Sequence, residues 1–299
     1  MENTLILGST LQAGWSTCFG HRFMSFSVFN PSTPFRELYR HRTLLAQFTR
    51  RMIELRHRGS FLGLVWTVVT PLLSLAIYTF VFGFIFDGRF TDLQRETSLD
   101  YAIGIFLGLV LFNFLSEVMA QSPSVIVAQP NFVKKVVFPL VILPAATVAA
   151  AAVSATISLV LALLGVAVLG PGLDWHALLL FAIVPPVVLI AFGCAWFLSA
   201  LGVFIRDIAS AMPFLVQVLV YMSAVFYPMR LVWKAPVWLQ DLLLLNPLLH
   251  AVESSRDAVL WHQPADPTML VFLWTSGIVT CSGGYWVFHK LRPAFADVI

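Results

Sequence analysis

Residues 136–169 read VVFPLVILPAATVAAAAVSATISLVLALLGVAVL and contain no charged side chain. A helix crosses the hydrocarbon core of a bilayer with about 20 mostly apolar residues, and this run is longer than one straight crossing needs. Pro139 and Pro144 lie near its start, where they predict a bent or interfacial entry turn. The segment therefore predicts a transmembrane helix that follows a turn at the membrane surface.

The composition extends this prediction to the whole chain. Of its 299 residues, 59% are hydrophobic and 11% are charged, whereas soluble domains average about 25% charged residues. A soluble fold cannot cover so much apolar surface, so the excess must face lipid. We therefore predict an all-α integral membrane protein that contacts membrane lipids. The net charge of +3 is too small to indicate a nucleic-acid partner.

Other apolar segments are also long enough to cross, and we predict six transmembrane helices. The predicted spans are residues 61–86, 101–121, 136–169, 177–205, 208–228 and 269–288. A further apolar run, residues 237–249, is split by Asn246-Pro247, and neither half can cross a bilayer. We predict a re-entrant or interfacial hairpin there, on the extracytoplasmic side between the fifth and sixth spans.

The charges of the loops orient these spans. Residues 36–58 hold seven arginines and two glutamates, and the next basic loop contains Lys134 and Lys135. The loop near Asp174 has neither lysine nor arginine, and basic residues return after the last span. Because basic loops lie in the cytoplasm, this alternation predicts that both termini are cytoplasmic. A seventh span at Asn246 would break the alternation.

The basic segment before the first span has a helical pattern. Its apolar stripe consists of Leu38, Leu45, Phe48, Met52 and Leu55. The opposite face is mostly basic, so residues 35–58 predict an amphipathic interface helix along the inner leaflet. A simple orientation anchor attracted to anionic lipid is the alternative.

The predicted organisation has four parts. Residues 1–34 form a leader to which we assign no role, and residues 35–58 form the interface helix. A single transmembrane domain covers residues 59–290, and residues 291–299 form a cytoplasmic tail.

The sequence contains no recognisable catalytic or metal-binding motif. There is no P-loop, and the histidines lack metal-ligand spacing. Cys18, Cys194 and Cys281 are far apart and indicate no disulfide framework. Charges within the apolar segments are sparse, and Arg206-Asp207 fit a turn between two spans. We therefore expect no catalytic residue, metal or cofactor on this chain.

Several motifs resemble those of permeases of ABC-type polysaccharide exporters, the membrane subunits that export O-antigen, capsule and teichoic acid. RMIELRHRGSFLGLVW, residues 51–66, followed by Thr70-Pro71-Leu72, is similar to the entry to that family's first span. NFVKKVVFP, residues 131–139, resembles its first cytoplasmic loop, and Arg206-Asp207-Ile208 resembles its second.

The later part of the chain carries the same resemblance. VFYP, residues 225–228, with Asn246-Pro247-Leu248 and Arg256, is similar to the extracytoplasmic re-entrant region of these permeases. The resemblance covers residues 36–290 and is greatest to the O-antigen branch. It implies an extracytoplasmic gate at Asn246, Pro247 and Arg256.

The resemblance also implies partners and a location. It implies a homodimer in the bacterial inner membrane with two copies of a separate ABC ATPase, which would bind ATP and Mg. The missing P-loop agrees with this. A coupling helix would then lie at residues 131–138, with ATPase contacts at or near Asn131, Phe132, Lys134, Lys135 and Phe138. An ordinary basic loop is the alternative.

The implied cargo is a long glycan on a lipid pyrophosphate carrier. The arginines near the cytoplasmic entrance are candidates to attract the pyrophosphate, namely Arg50, Arg51, Arg56 and Arg58. Aromatic side chains stack on the apolar faces of sugars, and the candidate channel aromatics are Trp66, Tyr78, Phe82, Phe112, Phe114, Tyr221, Phe226 and Tyr227. Aromatic belts or helix packing explain such residues equally well.

Three other functions stay open at this point. An ABC exporter of a drug or small lipid would share the architecture. A self-sufficient secondary carrier would place more ionisable groups near the midplane of the membrane. A membrane-embedded transferase would need catalytic acids or histidines around a cavity. The sequence identifies neither the glycan nor its lipid carrier, and it leaves open whether the ATPase has a glycan-binding domain.

Overall fold

The computed structural model describes residues 33–56, 63–85, 97–134 and 138–299, and these residues contain helices and no strand. The helices are α1 (Thr33–Arg40), α2 (Arg42–Arg56), α3 (Trp66–Tyr78), α4 (Ser98–Gln121), α5 (Pro130–Lys134), α6 (Ile142–Leu169), α7 (Leu180–Phe204), α8 (Asp207–Met222), α9 (Val237–Leu244), α10 (Pro247–Val259), α11 (Pro267–Leu291) and α12 (Phe295–Val298). A π-helical segment, Thr79–Ile85, continues α3. The all-helical prediction is therefore confirmed for the described residues.

Four helices are long and apolar enough to cross a membrane. With their adjoining turns they cover Ser98–Ser124, Ile142–Leu169, Trp175–Phe204 and Pro267–Val298. The apolar helices Trp66–Phe82 and Asp207–Met222 are shorter than these. The entry turn predicted around Pro139 lies before the start of α6, and Pro144 lies in the first turn of that helix.

Helix α4 lies at the centre of the domain. Most of its residues are apolar and it is buried along most of its length, as expected for a helix surrounded by other helices. It packs against α3, α6, α7, α8 and α10. Its first turn is fixed by a capping box, in which the Thr97 hydroxyl accepts from the Asp100 backbone N–H at 3.2 Å and the Asp100 carboxylate accepts from the Thr97 backbone N–H at 2.9 Å.

Helices α7 and α11 approach each other closely through their glycines. A Cβ atom on Gly193 would overlap the carbonyl of Thr280, and one on Gly284 would overlap the carbonyl of Gly193. Small residues permit this approach, which is typical of helix pairs in membranes. Near the other end of the pair, the Trp274 indole N–H donates to the Ala182 carbonyl at 3.1 Å.

The segment predicted as one interface helix consists of two helices, α1 and α2, which are separated at His41. Leu38 is buried, and Leu45, Phe48 and Met52 are partly buried against the same core, as the apolar stripe predicts. Leu55 is 48% exposed, so the stripe ends before it. The Tyr285 hydroxyl donates to the Glu37 carboxylate at 2.7 Å and connects α1 to α11.

One predicted boundary is wrong. The fifth predicted span, residues 208–228, ends as a helix at Met222, and Ala224 beyond it has a φ of 50°. The apolar run at 237–249 covers α9 and the start of α10, and α10 continues to Val259 with several buried polar residues. The predicted tail, residues 291–299, packs back on the domain through Phe295, which is fully buried.

The contact between α7 and α11 gives a stability prediction. We expect Gly284→Ala to destabilise the protein by about 1–3 kcal/mol, because its methyl group meets backbone atoms that cannot move independently. Gly283→Ala is the matched control, since its methyl group has no neighbour within 4 Å. Thermal unfolding in detergent would test this, and equal midpoints for the two variants would contradict it.

Candidate functional site

The backbone between α8 and the following turn is buried but not helical. Ser223, Ala224 and Val225 are completely buried, so their polar backbone groups need partners within the protein. Side chains from other elements supply these partners. The Tyr101 hydroxyl on α4 donates to the Phe226 carbonyl at 3.0 Å. We call residues 222–226 the α8 break.

Arg256 donates to two carbonyls of the α8 break. This α10 side chain is 1% exposed. Its Nη1 donates to the Ala224 carbonyl at 2.8 Å, its Nη2 donates to the Val225 carbonyl, and its Nε donates to the Gly104 carbonyl on α4 at 3.0 Å. Only a guanidinium carries enough donors in a fixed plane to bind three carbonyls in this way.

The environment of Arg256 is shaped to accept its size and charge. A Cβ atom on Gly108 would lie 2.9 Å from Nη2, so glycine leaves the room that the guanidinium needs. The Glu253 carboxylate lies 3.5 Å from Nη1 and balances part of the charge. Arg256 therefore connects α10, α4 and the α8 break.

Asn246 connects the same break to the start of α10. Its Oδ1 accepts from the Leu248 backbone N–H at 3.0 Å, which is an N-cap, and Pro247 occupies the first turn. Its Nδ2 donates to the Met222 carbonyl at 3.1 Å and to the Ser223 hydroxyl at 3.0 Å. The predicted gate residues Asn246 and Arg256 therefore both form hydrogen bonds to the α8 break.

The predicted channel aromatics divide into several groups. Tyr78, Phe82 and Phe226 form a cluster with ring centroids 5.8–6.2 Å apart. Trp66 and Phe114 line the cavity described next, as Tyr78 also does. Phe112 lies in the buried core, Tyr221 is exposed, and the Tyr227 hydroxyl donates to the Tyr221 carbonyl at 2.6 Å.

A cavity of about 240 Å³ lies between α3, α4 and α6, beside the end of α2. Polar side chains are common on its walls and comprise Thr67, Thr70, Ser74, Asn113, Ser154 and Ser158. Polar groups on apolar helices usually face a bundle interior or a water-filled space rather than lipid. We call this space the α2–α4 cavity.

An ion pair lies at one side of the α2–α4 cavity. Arg56, the last residue of α2, donates through Nη2 to the Glu117 carboxylate on α4 and through Nη1 to the Ser154 hydroxyl at 2.9 Å. The Gln121 amide also donates to Glu117, at 3.4 Å. Both charged side chains are 26% exposed, so the pair is accessible from the cavity.

The other entrance arginines do not line the α2–α4 cavity. Arg50 is exposed and pairs with Glu54 at 2.8 Å on the outer face of α2. Arg51 is exposed as well, and Arg58 lies outside the described residues. Among the arginines that the structure describes in this group, Arg56 alone lines the cavity.

The predicted coupling residues surround the short helix α5. Asn131 and Lys134 are exposed, whereas Phe132 and Phe138 are partly buried, and Lys135 lies outside the described residues. Phe132 and Phe138 contact each other and Phe48 of α2, with centroid distances of 4.7, 5.5 and 5.2 Å. One face of α5 is therefore polar and exposed, and the other contacts α2.

Three residues of this site were not predicted from the sequence. Glu117 is an acidic residue within the predicted span 101–121, and nothing in the sequence indicates that it pairs with Arg56. Phe48 was assigned to the apolar stripe without its contact to α5, and Tyr101 was not singled out. Within the described ranges, no cluster of histidine, cysteine and acidic residues has the form of a metal site.

Comparisons with known proteins agree with this architecture. A model of the ABC-2 type transporter family matches residues 43–260, which include the α2–α4 cavity, Asn246 and Arg256. The chain is 26% identical over 265 residues to the O-antigen export system permease protein RfbA of Myxococcus xanthus, covering 88% of this chain and 98% of that relative. It is 25% identical over 259 residues to a protein of the same name from Klebsiella pneumoniae, covering 86% and 95%.

The bonds of Arg256 predict that this residue is required for stability. We expect Arg256→Met to lower the free energy of unfolding by about 3 kcal/mol or more, because it leaves buried carbonyls without donors. Arg256→Lys should also be destabilising, since an ammonium group cannot reproduce the planar set of bonds. Chemical unfolding in detergent measures both effects.

Arg51→Met provides the control for this prediction. Arg51 is exposed on α2, so its replacement should change stability by less than about 0.5 kcal/mol. Equal unfolding curves for Arg256→Met and Arg51→Met would contradict the assignment.

Proposed function

Because this chain belongs to the ABC-2 type transporter family, we propose that it is the channel-forming membrane subunit of an ATP-driven exporter of lipid-linked polysaccharide, of the O-antigen type. The observation that carries the proposal is the alignment of nearly the whole chain with permeases named for O-antigen export. The family match over residues 43–260 supports the transporter architecture independently.

The proposed topology has six spans in the bacterial inner membrane, with both termini in the cytoplasm. The first and fifth spans would be α3 with its π-helical continuation and α8, which are shorter than the other four. Helices α9 and α10 would form the re-entrant extracytoplasmic hairpin. The bonded carbonyls of the α8 break support this assignment, because non-helical backbone within a membrane requires such partners.

The proposed assembly is a homodimer with two copies of a separate ATPase, which would bind ATP and Mg. Exposed apolar side chains on α3 and α8, such as Leu73, Ile77 and Phe214, suit contact with lipid or with a second copy. Asn131 and Lys134 would contact the ATPase from the exposed face of α5. Nothing in this assembly requires a covalent intermediate on the permease.

The contacts of α5 suggest how movement would be transmitted. Closure of the ATPase would displace α5, whose buried face contacts Phe48. Helix α2 would carry this displacement to Arg56, eight residues and about 12 Å further along the helix. The cluster of Tyr78, Phe82 and Phe226, with Trp66 and Phe114, would offer faces for sugar stacking along the path.

Two alternative functions predict different experimental results. An ABC exporter of a drug or small lipid would keep the ATPase but would not affect surface glycan. A secondary carrier would not co-purify with an ATPase. Affinity purification of this chain from its native membrane, followed by an ATPase assay, separates the ABC architecture from a secondary carrier.

The decisive experiment is a deletion strain in which surface glycan and cytoplasmic lipid-linked glycan are quantified together. We expect surface polymer to disappear while carrier-linked polymer accumulates inside. The accumulated material would identify both the glycan and its carrier. Unchanged surface glycan without accumulation would contradict the polysaccharide assignment and favour a small-molecule cargo.

The contact between α5 and α2 predicts an uncoupled variant. We expect Phe132→Ala to reduce surface polymer several-fold in a complemented deletion strain, because it removes the ring that contacts Phe48 and Phe138. The purified complex should still hydrolyse ATP. Phe181→Ala, on an exposed position of α7, should leave export unchanged. Normal export by Phe132→Ala at equal protein level would contradict the proposed transmission.

A further inference from the structure

The residues that follow α11 pack against the domain in a fixed orientation. Helix α11 ends at Leu291, and a 3-10 turn, Arg292–Ala294, leads into α12. Phe295 of α12 is fully buried, and Ile299, one turn later, is partly buried against the same core. The residues between them, 296–298, are exposed. Helix α12 therefore has one apolar face, and that face points into the domain.

Phe295 attaches α12 to both helices of the α7–α11 pair. Its ring centroid lies 6.0 Å from that of Phe204, the last residue of α7. It lies 5.6 Å from the ring centroid of Phe288 on α11, with the two rings nearly perpendicular at 79°. The backbones of α7 and α11 touch at their glycines, so Phe295 is held by the most closely packed helices described above.

Helix α12 also contacts α5. Phe132 and Val133 of α5 are partly buried against the same apolar core as Phe295. Because α5 has only five residues, it forms too few internal hydrogen bonds to be stable without neighbours. Its position therefore depends on its contact with Phe48 of α2 and on its contact with α12.

We propose that α12 is the support on which α5 tilts, and that Phe295 is the positioning residue that fixes this support to the α7–α11 pair. The inference rests on the proposed function, in which the ATPase displaces α5. It gives a role in transport to a segment that the sequence marks only as a tail.

An open cleft gives α5 room to tilt. The cleft has a volume of about 380 Å³ and lies between the α5 segment and the residues that follow α11. Phe132 and Phe138 line it from the α5 segment, and Arg292 and Ala296 line it from the other side. A closely packed helix moves only together with its neighbours. The cleft lets α5 change its angle while the buried contact at Phe295 is kept.

A fixed support decides where the displacement of α5 goes. If every neighbour of α5 yielded equally, a push from the ATPase would be divided among them. Helix α12 resists the push, because Phe295 is completely buried against the ends of two helices that cannot slide past each other. The displacement therefore passes to α2 through Phe48, which contacts both Phe132 and Phe138.

Replacement of Phe295 tests the support. We expect Phe295→Ala to reduce surface polymer several-fold in a complemented deletion strain, because α5 loses its fixed contact. The purified complex should keep its bound ATPase and its rate of ATP hydrolysis. A purely structural role would instead lower the permease level, the bound ATPase and export together.

Two further substitutions in α12 serve as controls. Phe295→Met keeps a large apolar side chain that adapts to the buried site, and it should restore most of the export. Val298→Ala changes a side chain that is 43% exposed on the same helix, and it should leave export unchanged.

Filling the cleft tests the tilt without removing any buried side chain. Ala296 is exposed and lines the cleft, so Ala296→Phe should fold normally and occupy the space into which α5 moves. We expect several-fold lower export with the ATPase still bound. Val298→Phe adds the same ring outside the cleft and should export normally.

A double variant tests whether Phe295 acts through α5. Phe295→Ala should reduce export little further in the Phe132→Ala background, because both substitutions interrupt the same transmission to α2. Surface polymer measured at equal protein levels gives this comparison. Independent, multiplied losses would contradict a common route.

Three other results would overturn the inference. Normal export by Phe295→Ala or by Ala296→Phe excludes a support at α12, and the second variant decides the matter if the first does not accumulate. Loss of the bound ATPase in Ala296→Phe would mean that the cleft is a docking site for the ATPase. Failure of Phe295→Met to restore export would exclude simple support by an apolar side chain. These results leave the proposed function intact, which fails instead if the deletion strain keeps its surface glycan.

Discussion

The structure depends on the bonds that Arg256 makes to three backbone carbonyls. Helix α8 ends at Met222, and the buried residues that follow lie outside the helix, so their carbonyls need donors from elsewhere in the domain. Arg256 and Asn246 supply the donors, and they come from α10 and the residue before it. The turn between α8 and α9, the course of α10 and the packing of α4 are therefore set by one polar network in an otherwise apolar domain.

A second set of contacts connects α5, the segment proposed to contact the ATPase, with the α2–α4 cavity. Phe132 and Phe138 contact Phe48, and the same helix ends at Arg56 beside Glu117. These contacts hold α2 against α5, and α2 also packs against α6. The apolar and the basic residues of α2 have different contacts. Phe48 contacts α5, whereas Arg56 lines the α2–α4 cavity.

The fold was largely predictable because its signal is local. Long apolar runs define α4, α6, α7 and α11, and Asn246-Pro247 marks the start of α10 by ordinary capping chemistry. The end of α8 was not predictable, because its sequence stays apolar to Pro228 and the helix is interrupted by donors that lie far away in the chain. The partner of Arg56 was hidden for the same reason, as Glu117 is 61 positions away. Such pairings depend on which helix faces contact each other, and periodicity alone does not give that information.

The backbone contact between α7 and α11 has a mechanical consequence. Two helices whose glycines touch cannot slide past each other without collision, so this pair would act as a fixed frame during any cycle of opening and closing. Displacement would then fall to α3 and α8, which both pack against α4. Both helices depart from regular α geometry there, one through its π-helical continuation and the other through its early end. The domain would then consist of a rigid part and a deformable part. A small displacement applied from outside the domain would move the deformable part and widen the transport path, while the rigid part would keep its packing.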